Sequence, residues 1–178
     1  TIEANNHPVR HGHIVGVHNG VILNDEEIFE RHTIQRYVSS MTVDTEAIFA
    51  LVERFGPWGK TLEQLRGSMA TAWVDERERG AVYLARGVGR PLWTGESRDG
   101  IFFASTKHAL EVSEEFLGLR LRKRELPEGT ILTLESGRLA CKERFRPDRG
   151  FTERPLPAVR APGERESCLR LLTALASL

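Results

Sequence analysis

Three groups of residues in this chain have types and spacings that could do chemistry. The first is His18-Asn19-Gly20, which follows the apolar β-branched run Ile14 to Val17. An asparagine side-chain amide beside a glycine backbone N–H supplies two donors able to converge on one developing oxyanion, and glycine lets a substrate approach the backbone closely. Asn-Gly is also a common tight-turn dipeptide, so the local sequence by itself favours a turn after a buried strand. The second is Asp44, just ahead of the helical pattern that begins at Thr45. A carboxylate there either caps the helix or faces a substrate ammonium group, and alone the cap is the simpler reading. The third is a run of histidines: four of the six, His7, His11, His13 and His18, fall within a dozen residues. A zinc or iron site would need them to reach one point together with a carboxylate or thiolate. His13 and His18, an odd number of residues apart, would lie on opposite faces of one strand, and no cysteine is near. They are therefore expected to be ordinary loop and strand-end histidines, with no metal and no other cofactor.

Three side chains could be considered as nucleophiles. Thr1 stands at the start of the chain, and an N-terminal threonine can act with its own α-amino group as base. Cys141 follows the last strand pattern and Cys168 lies in a C-terminal helical stretch. Both read as structural thiols; they are too distant for a CxxC motif, and although a single disulfide stays open, two lone cysteines suit a reducing cytoplasm.

The elements that must position these groups can be read from periodicity. Asn24-Asp25-Glu26-Glu27 carries a capping residue with Glu three positions on, flanked by Leu23 and Ile28 as a hydrophobic staple. Ile48, Leu51, Val52 and Phe55 recur at helical spacing, so a helix is predicted from Thr45 to Phe55, ended by Gly56-Pro57. Lys60 to Arg66 reads as a short helix. Ser68–Val74, Ala81–Ala85 and Ile101–Ala104 read as strands joined by charged or Gly-rich turns, forming an antiparallel meander. Ser105 is placed to cap a helix carrying Ala109 and Leu110, and Thr130–Leu134 pairs with Arg138–Glu143 across Ser136-Gly137.

From Arg146 onward four of the eight prolines alternate with Arg and Glu, and Ser167 to Leu178 forms a short apolar-rich helix. This divides the chain into a domain over 1–145 and an arm with a helix over 146–178. The 178 residues are 40% apolar, enough to bury a core, and 25 Lys+Arg balance 25 Asp+Glu. Zero formal charge gives no electrostatic reason for a nucleic acid or membrane partner, and no apolar run is long enough for a bilayer span or a signal peptide. A soluble, cytoplasmic protein is expected.

Order and spacing join these pieces. Asn5-Asn6-His7-Pro8, His18-Asn19-Gly20-Val21-Ile22-Leu23-Asn24, Val43-Asp44-Thr45-Glu46 and Leu65-Arg66-Gly67-Ser68-Met69-Ala70-Thr71-Ala72 follow in sequence. So do Leu84-Ala85-Arg86-Gly87 with Pro91-Leu92, Phe103-Ala104-Ser105-Thr106 with Ala109-Leu110, and Leu126-Pro127-Glu128-Gly129-Thr130. Over about residues 5 to 140 the set resembles the class II glutamine amidotransferases, and among them the glutaminase domain of glucosamine-6-phosphate synthases.

The resemblance implies an α+β N-terminal-nucleophile (Ntn) hydrolase fold, a four-layer αββα sandwich of antiparallel sheets, that cuts the side-chain amide of glutamine to glutamate and ammonia. It implies that Asn19 and the Gly20 N–H form the oxyanion hole and that Asp44 binds the α-amino group of glutamine. His7-Pro8 resembles the family's loop before the core strand, and His18 packing beside the site, with no proton-transfer role for either. The family's nucleophile is an N-terminal cysteine whose α-amino group serves as base, and such amines titrate near about 7.7 to 8.0. Aligned on the motifs, Thr1 falls after the family's first strands, beside the His-Pro loop, which argues against it as nucleophile. The resemblance therefore implies an N-terminally incomplete domain whose cysteine lies upstream. Its expected partners are glutamine, an ammonia-accepting domain or protein, and its own N-terminal segment. The alternative is an Ntn-fold binding or structural module without catalysis.

Overall fold

A computed structural model describes residues 3–151 and 163–176. Thr1 and most of the proline-rich arm therefore lie outside the described residues. The strands are β1 (Val9–His11), β2 (Ile14–Ile22), β3 (Gly67–Asp75), β4 (Ala81–Arg86), β5 (Trp93–Glu96), β6 (Ile101–Ala104), β7 (Arg122–Glu125), β8 (Thr130–Glu135) and β9 (Arg138–Arg144). The helices are α1 (Asp25–His32), α2 (Thr45–Phe55), α3 (Gly59–Leu62), α4 (Lys107–Leu117) and α5 (Glu164–Ala176). The chain forms two compact units, Thr1–Arg90 with Pro127–Glu153, and Pro91–Leu126 with Arg154–Leu178.

The first unit is a six-stranded sheet in the order β1-β2-β3-β4-β8-β9, antiparallel throughout. Alternation along β2 sends Ile14, Gly16, His18 and Ile22 into the interior and leaves Val17, Asn19 and Val21 exposed. Helix α2 seats directly on that inner face. A Cβ at Gly16 would meet the Ala72 carbonyl oxygen at 2.5 Å and Phe49 Cζ at 2.6 Å, so helix and strand come this close only at glycine. Every residue of α2 from Thr45 to Val52 is buried, and its Ile48, Phe49 and Leu51 join Ile14, Met69, Trp73, Tyr83 and Ile131 in one core. Trp73 and Tyr83 stack across β3 and β4 with centroids 5.4 Å apart. Each large apolar side chain buried this way contributes about 1.5–3 kcal/mol. The second unit is a three-stranded antiparallel sheet, β6-β5-β7, with α4 packed on it and α5 lying along α4, tied by Arg165 to Glu115 at 2.7 Å.

Several sequence expectations change here. The strand that begins at Ile14 does not stop before Asn19-Gly20: it runs on to Ile22, because β3 pairs with it over its whole length. His13 precedes that strand, in the turn after β1. Asn24 stands at the start of α1 but does not cap it; its side chain bridges the Gln64 carbonyl (3.0 Å) and the Arg66 N–H (2.8 Å). Leu23 is exposed while Ile28 is buried, so the staple does not form. Thr106, not Ser105, caps α4, accepting the Ala109 N–H at 3.1 Å. The predicted meander splits: Ile101–Ala104 pairs with β5 in the small sheet, and β4 pairs instead with β8. Cys141 is exposed on β9 and neither cysteine is in a disulfide.

Candidate active site

The groups singled out by chemistry meet where the end of β2 passes the start of α2. Asn19 and Gly20 are opposite Ala70 and Met69 in the ladder, with the Asn19 side chain on the exposed face. Gly20 has φ +147°, and a Cβ there would sit 2.0 Å from the Ser68 carbonyl oxygen and 2.6 Å from His18 Nε2. No other residue fits that position. Side chains add to the continuous ladder at this point: the Val21 N–H donates to Ser68 Oγ (3.2 Å), and the Ser68 carbonyl lies 3.2 Å from His18 Nε2.

Asp44 does not cap α2. Its Oδ2 instead accepts the Ile22 N–H at 2.6 Å, so the carboxylate is anchored to the strand two residues past Gly20. Oδ1 has no hydrogen-bond partner among the described residues.

The segment that delivers Asp44, from Thr33 to Val43, has no regular structure and is held by ion pairs. Glu46, 0% exposed, accepts the Tyr37 N–H at 2.6 Å, His11 Nδ1–H at 2.9 Å and Arg36 Nη1 at 3.2 Å. Arg36 also reaches the Val43 carbonyl at 3.1 Å, Asp25 at 2.9 Å and Glu26 at 2.8 Å, and lies over the Phe29 ring at 4.4 Å. A buried carboxylate is tolerable only with such partners. Together they fix the backbone on either side of Asp44.

The four histidines do not converge on one point: His11 meets Glu46, His13 meets Glu53 at 3.2 Å, and His18 and His7 share the Thr45 hydroxyl, at 3.1 Å and 3.4 Å. Among the described residues no three His, Cys, Asp or Glu side chains are arranged to hold a metal ion. Burial pushes the His18 imidazole below its usual pKa; the bond to Ser68 and the charge of Asp44 oppose this, while His7 and Arg90 add to it. Sequence reading did not single out Thr45, Ser68, Arg36 or Glu46. For Glu46 a signal existed: it is the only charged residue in the stretch Thr45 to Val52, in a helix otherwise apolar enough to be buried all round. Arg36 carries no comparable signal, since its partners come from both helices.

The end of β2 thus carries a glycine that admits no side chain, beside a carboxylate anchored to the same strand, and comparison with known proteins gives the class of the chain. The family model described as a glutamine amidotransferase domain matches residues 1–112, and the chain belongs to that family. It is 37% identical over 126 residues to the isomerizing glutamine–fructose-6-phosphate aminotransferase of Shigella flexneri, covering 66% of this chain and 20% of that protein. To the protein of the same name from Vibrio parahaemolyticus it is 34% identical over 130 residues, with the same coverage. The chain thus spans about a fifth of the length of these relatives. Among solved structures, the glutamine phosphoribosylpyrophosphate amidotransferase of B. subtilis superposes with a TM-score of 0.63 at 22% identity, over 80% of this chain and 32% of that one. A structure described as the allosteric regulatory enzyme of purine biosynthesis gives 0.59 at 23% identity, over 74% and 28%. The Ntn amidotransferase fold implied by the motifs is therefore the fold of this chain. No helix among the described residues is long and apolar enough to cross a membrane.

Proposed function

We propose that this chain supplies the amide-recognition half of a glutaminase site, in a protein that hydrolyses the side-chain amide of glutamine to glutamate and ammonia. Asn19 Nδ2 and the Gly20 N–H receive the oxyanion of the tetrahedral intermediate, and Asp44 binds the α-amino group. The observation that carries this reading is the Asp44 carboxylate: rather than capping its helix it is anchored to Ile22, two residues from Gly20, with one oxygen left for a ligand. A carboxylate held this way selects an amino acid over a simple amide by a charge-assisted bond. The nucleophile is an N-terminal cysteine outside this sequence, with its own amine as base. The ammonia passes to an accepting domain or partner protein.

The test is release of glutamate from L-glutamine by the complete protein. Losing one oxyanion donor costs about 10²- to 10³-fold in kcat, so Asn19→Ala is expected to fall by that amount. Asp44→Asn is expected to raise KM for glutamine with a smaller effect on kcat. Turnover indifferent to both changes would refute the site assignment. A complete protein that binds glutamine without turning it over would instead be a binding module on the same fold.

A further inference from the structure

The two halves of the proposed site belong to different elements, the donors to β2 and the carboxylate to the residue just before α2, and one side chain of β2 reaches the first residue of that helix. His18 lies on the inner face of β2 directly beneath Gly20, its Nε2 2.6 Å from where a Gly20 Cβ would be. Its proton positions follow from its partners. The Ser68 carbonyl can only accept, so Nε2 carries the hydrogen and donates at 3.2 Å. In the neutral ring Nδ1 then accepts, and the Thr45 hydroxyl donates to it at 3.1 Å. Thr45 Oγ, still able to accept, lies 3.4 Å from His7 Nε2. A chain of contacts therefore runs from the exposed His7 through Thr45 and His18 to the Ser68 carbonyl, which lies against Gly20.

We infer that His18 is a positioning residue: as the neutral Nε2–H tautomer it spans from the Ser68 carbonyl beside Gly20 to the Thr45 hydroxyl next to Asp44, and so sets the separation of oxyanion donors and amino-group carboxylate. This rests on the reading of Asn19, Gly20 and Asp44 given above. Simple packing does not account for the arrangement. An apolar ring of the same size would fill the space but leave the Ser68 carbonyl and the Thr45 hydroxyl without this partner, in residues that are 0% and 2% exposed. Both ring nitrogens are committed, one to each half of the site. The tie from Asp44 to Ile22 is a second link between β2 and the start of α2, so helix and strand cannot shift apart without breaking it and the buried His18–Thr45 bond. The depressed pKa of the buried ring is consistent with the neutral form.

The experiment measures, in the complete protein, the affinity for L-glutamate and for glutarate, the same diacid without its amino group. The ratio of the two Kd values reads the amino-group site without turnover. Asp44→Asn is expected to abolish the preference for glutamate. Thr45→Val, which removes the hydroxyl bonded to His18, is expected to reduce it about tenfold, the effect of one lost hydrogen bond in a preorganised site, and His18→Phe, which removes both ring bonds, at least as much. Thr45→Ser, which keeps the hydroxyl, should retain it. A preference lost in Asp44→Asn but kept in Thr45→Val and His18→Phe would overturn the inference and leave the functional reading standing. A wild-type protein without any preference would overturn the functional reading and this inference with it. Should His18→Phe fail to fold, Thr45→Val against Thr45→Ser decides, together with the ring ¹⁵N spectrum of the wild-type protein at neutral pH. That spectrum must show a neutral Nε2–H ring for His18; an Nδ1–H ring or a cation overturns the assignment.

Discussion

Two dipeptides of the same turn-forming kind, Ser136-Gly137 and Asn19-Gly20, end up in opposite conformations. Ser136 (φ 49°) and Gly137 (φ 76°) make the two-residue connection between β8 and β9, the left-handed pair that a tight hairpin needs. Nearly all of β9 is exposed, so little competes with the local preference. Asn19-Gly20 sits instead inside a nine-residue strand, with β3 paired along its length and α2 pressed on its inner face. There pairing and burial outweigh the turn tendency, and the glycine is used for close approach. Where tertiary partners are few, local propensity decides; at the proposed site it does not.

That contrast can be broken by adding one methyl group at each glycine. Gly20→Ala is expected to have the largest effect, since its Cβ would lie 2.0 Å from backbone oxygen at a positive φ. A loss of roughly 4 kcal/mol or failure to fold is expected by chemical denaturation, with loss of the glutaminase activity proposed above. Next is the support behind Asp44. Arg36→Met leaves the buried Glu46 with one fewer cation, and a cost of roughly 3 kcal/mol is expected from urea midpoints, with a raised KM for glutamine if the protein still folds.

A smaller effect sharpens the comparison through pH. The folded-state pKa of His18 is depressed, with burial as the leading cause, so between that value and the unfolded value near about 6.5 the unfolded chain binds more protons. Its contribution to stability is present in full above that upper limit and is lost as pH falls through the window. The titratable and charged groups around it are Asp44, His7 and Arg90, and only Asp44 favours the cation. His18→Gln should therefore flatten the acid limb of the stability curve by up to one proton; an unchanged slope would count against a neutral buried ring. The smallest change is expected at the hairpin: Gly137→Ala should cost about 1 kcal/mol, the strain of a left-handed residue, and leave activity untouched.

How much was legible differs residue by residue. The helix at Thr45–Phe55 and the hairpin at Ser136-Gly137 follow directly from spacing and turn chemistry, and both are present. The capping reading of Asn24 failed because its amide meets a backbone donor and a backbone acceptor about forty residues away, which compete with its own helix. Strands β5 and β7 went unread because Trp93–Glu96 and Arg122–Glu125 are four-residue segments with little apolar alternation. The proposed site residues Asn19, Gly20 and Asp44 were singled out through the order of motifs, while the residues that hold them were not. Thr45, Ser68 and Arg36 act through partners distant in sequence and no local pattern marks that role, whereas Glu46 is marked only as the lone charge in an apolar helix stretch.

By itself, the sequence determined the family, the apolar face of α2 and the choice of glycine at position 20, because these depend on residue type and short-range periodicity. Tertiary structure alone decided that Asn19-Gly20 stays extended, that Asp44 turns from its helix to the Ile22 N–H, and that His18 joins β2 to α2. The physical reason is common to all three. A buried donor or acceptor must find a partner, and which partner is within reach depends on how sheet and helix pack, which no stretch of sequence specifies locally.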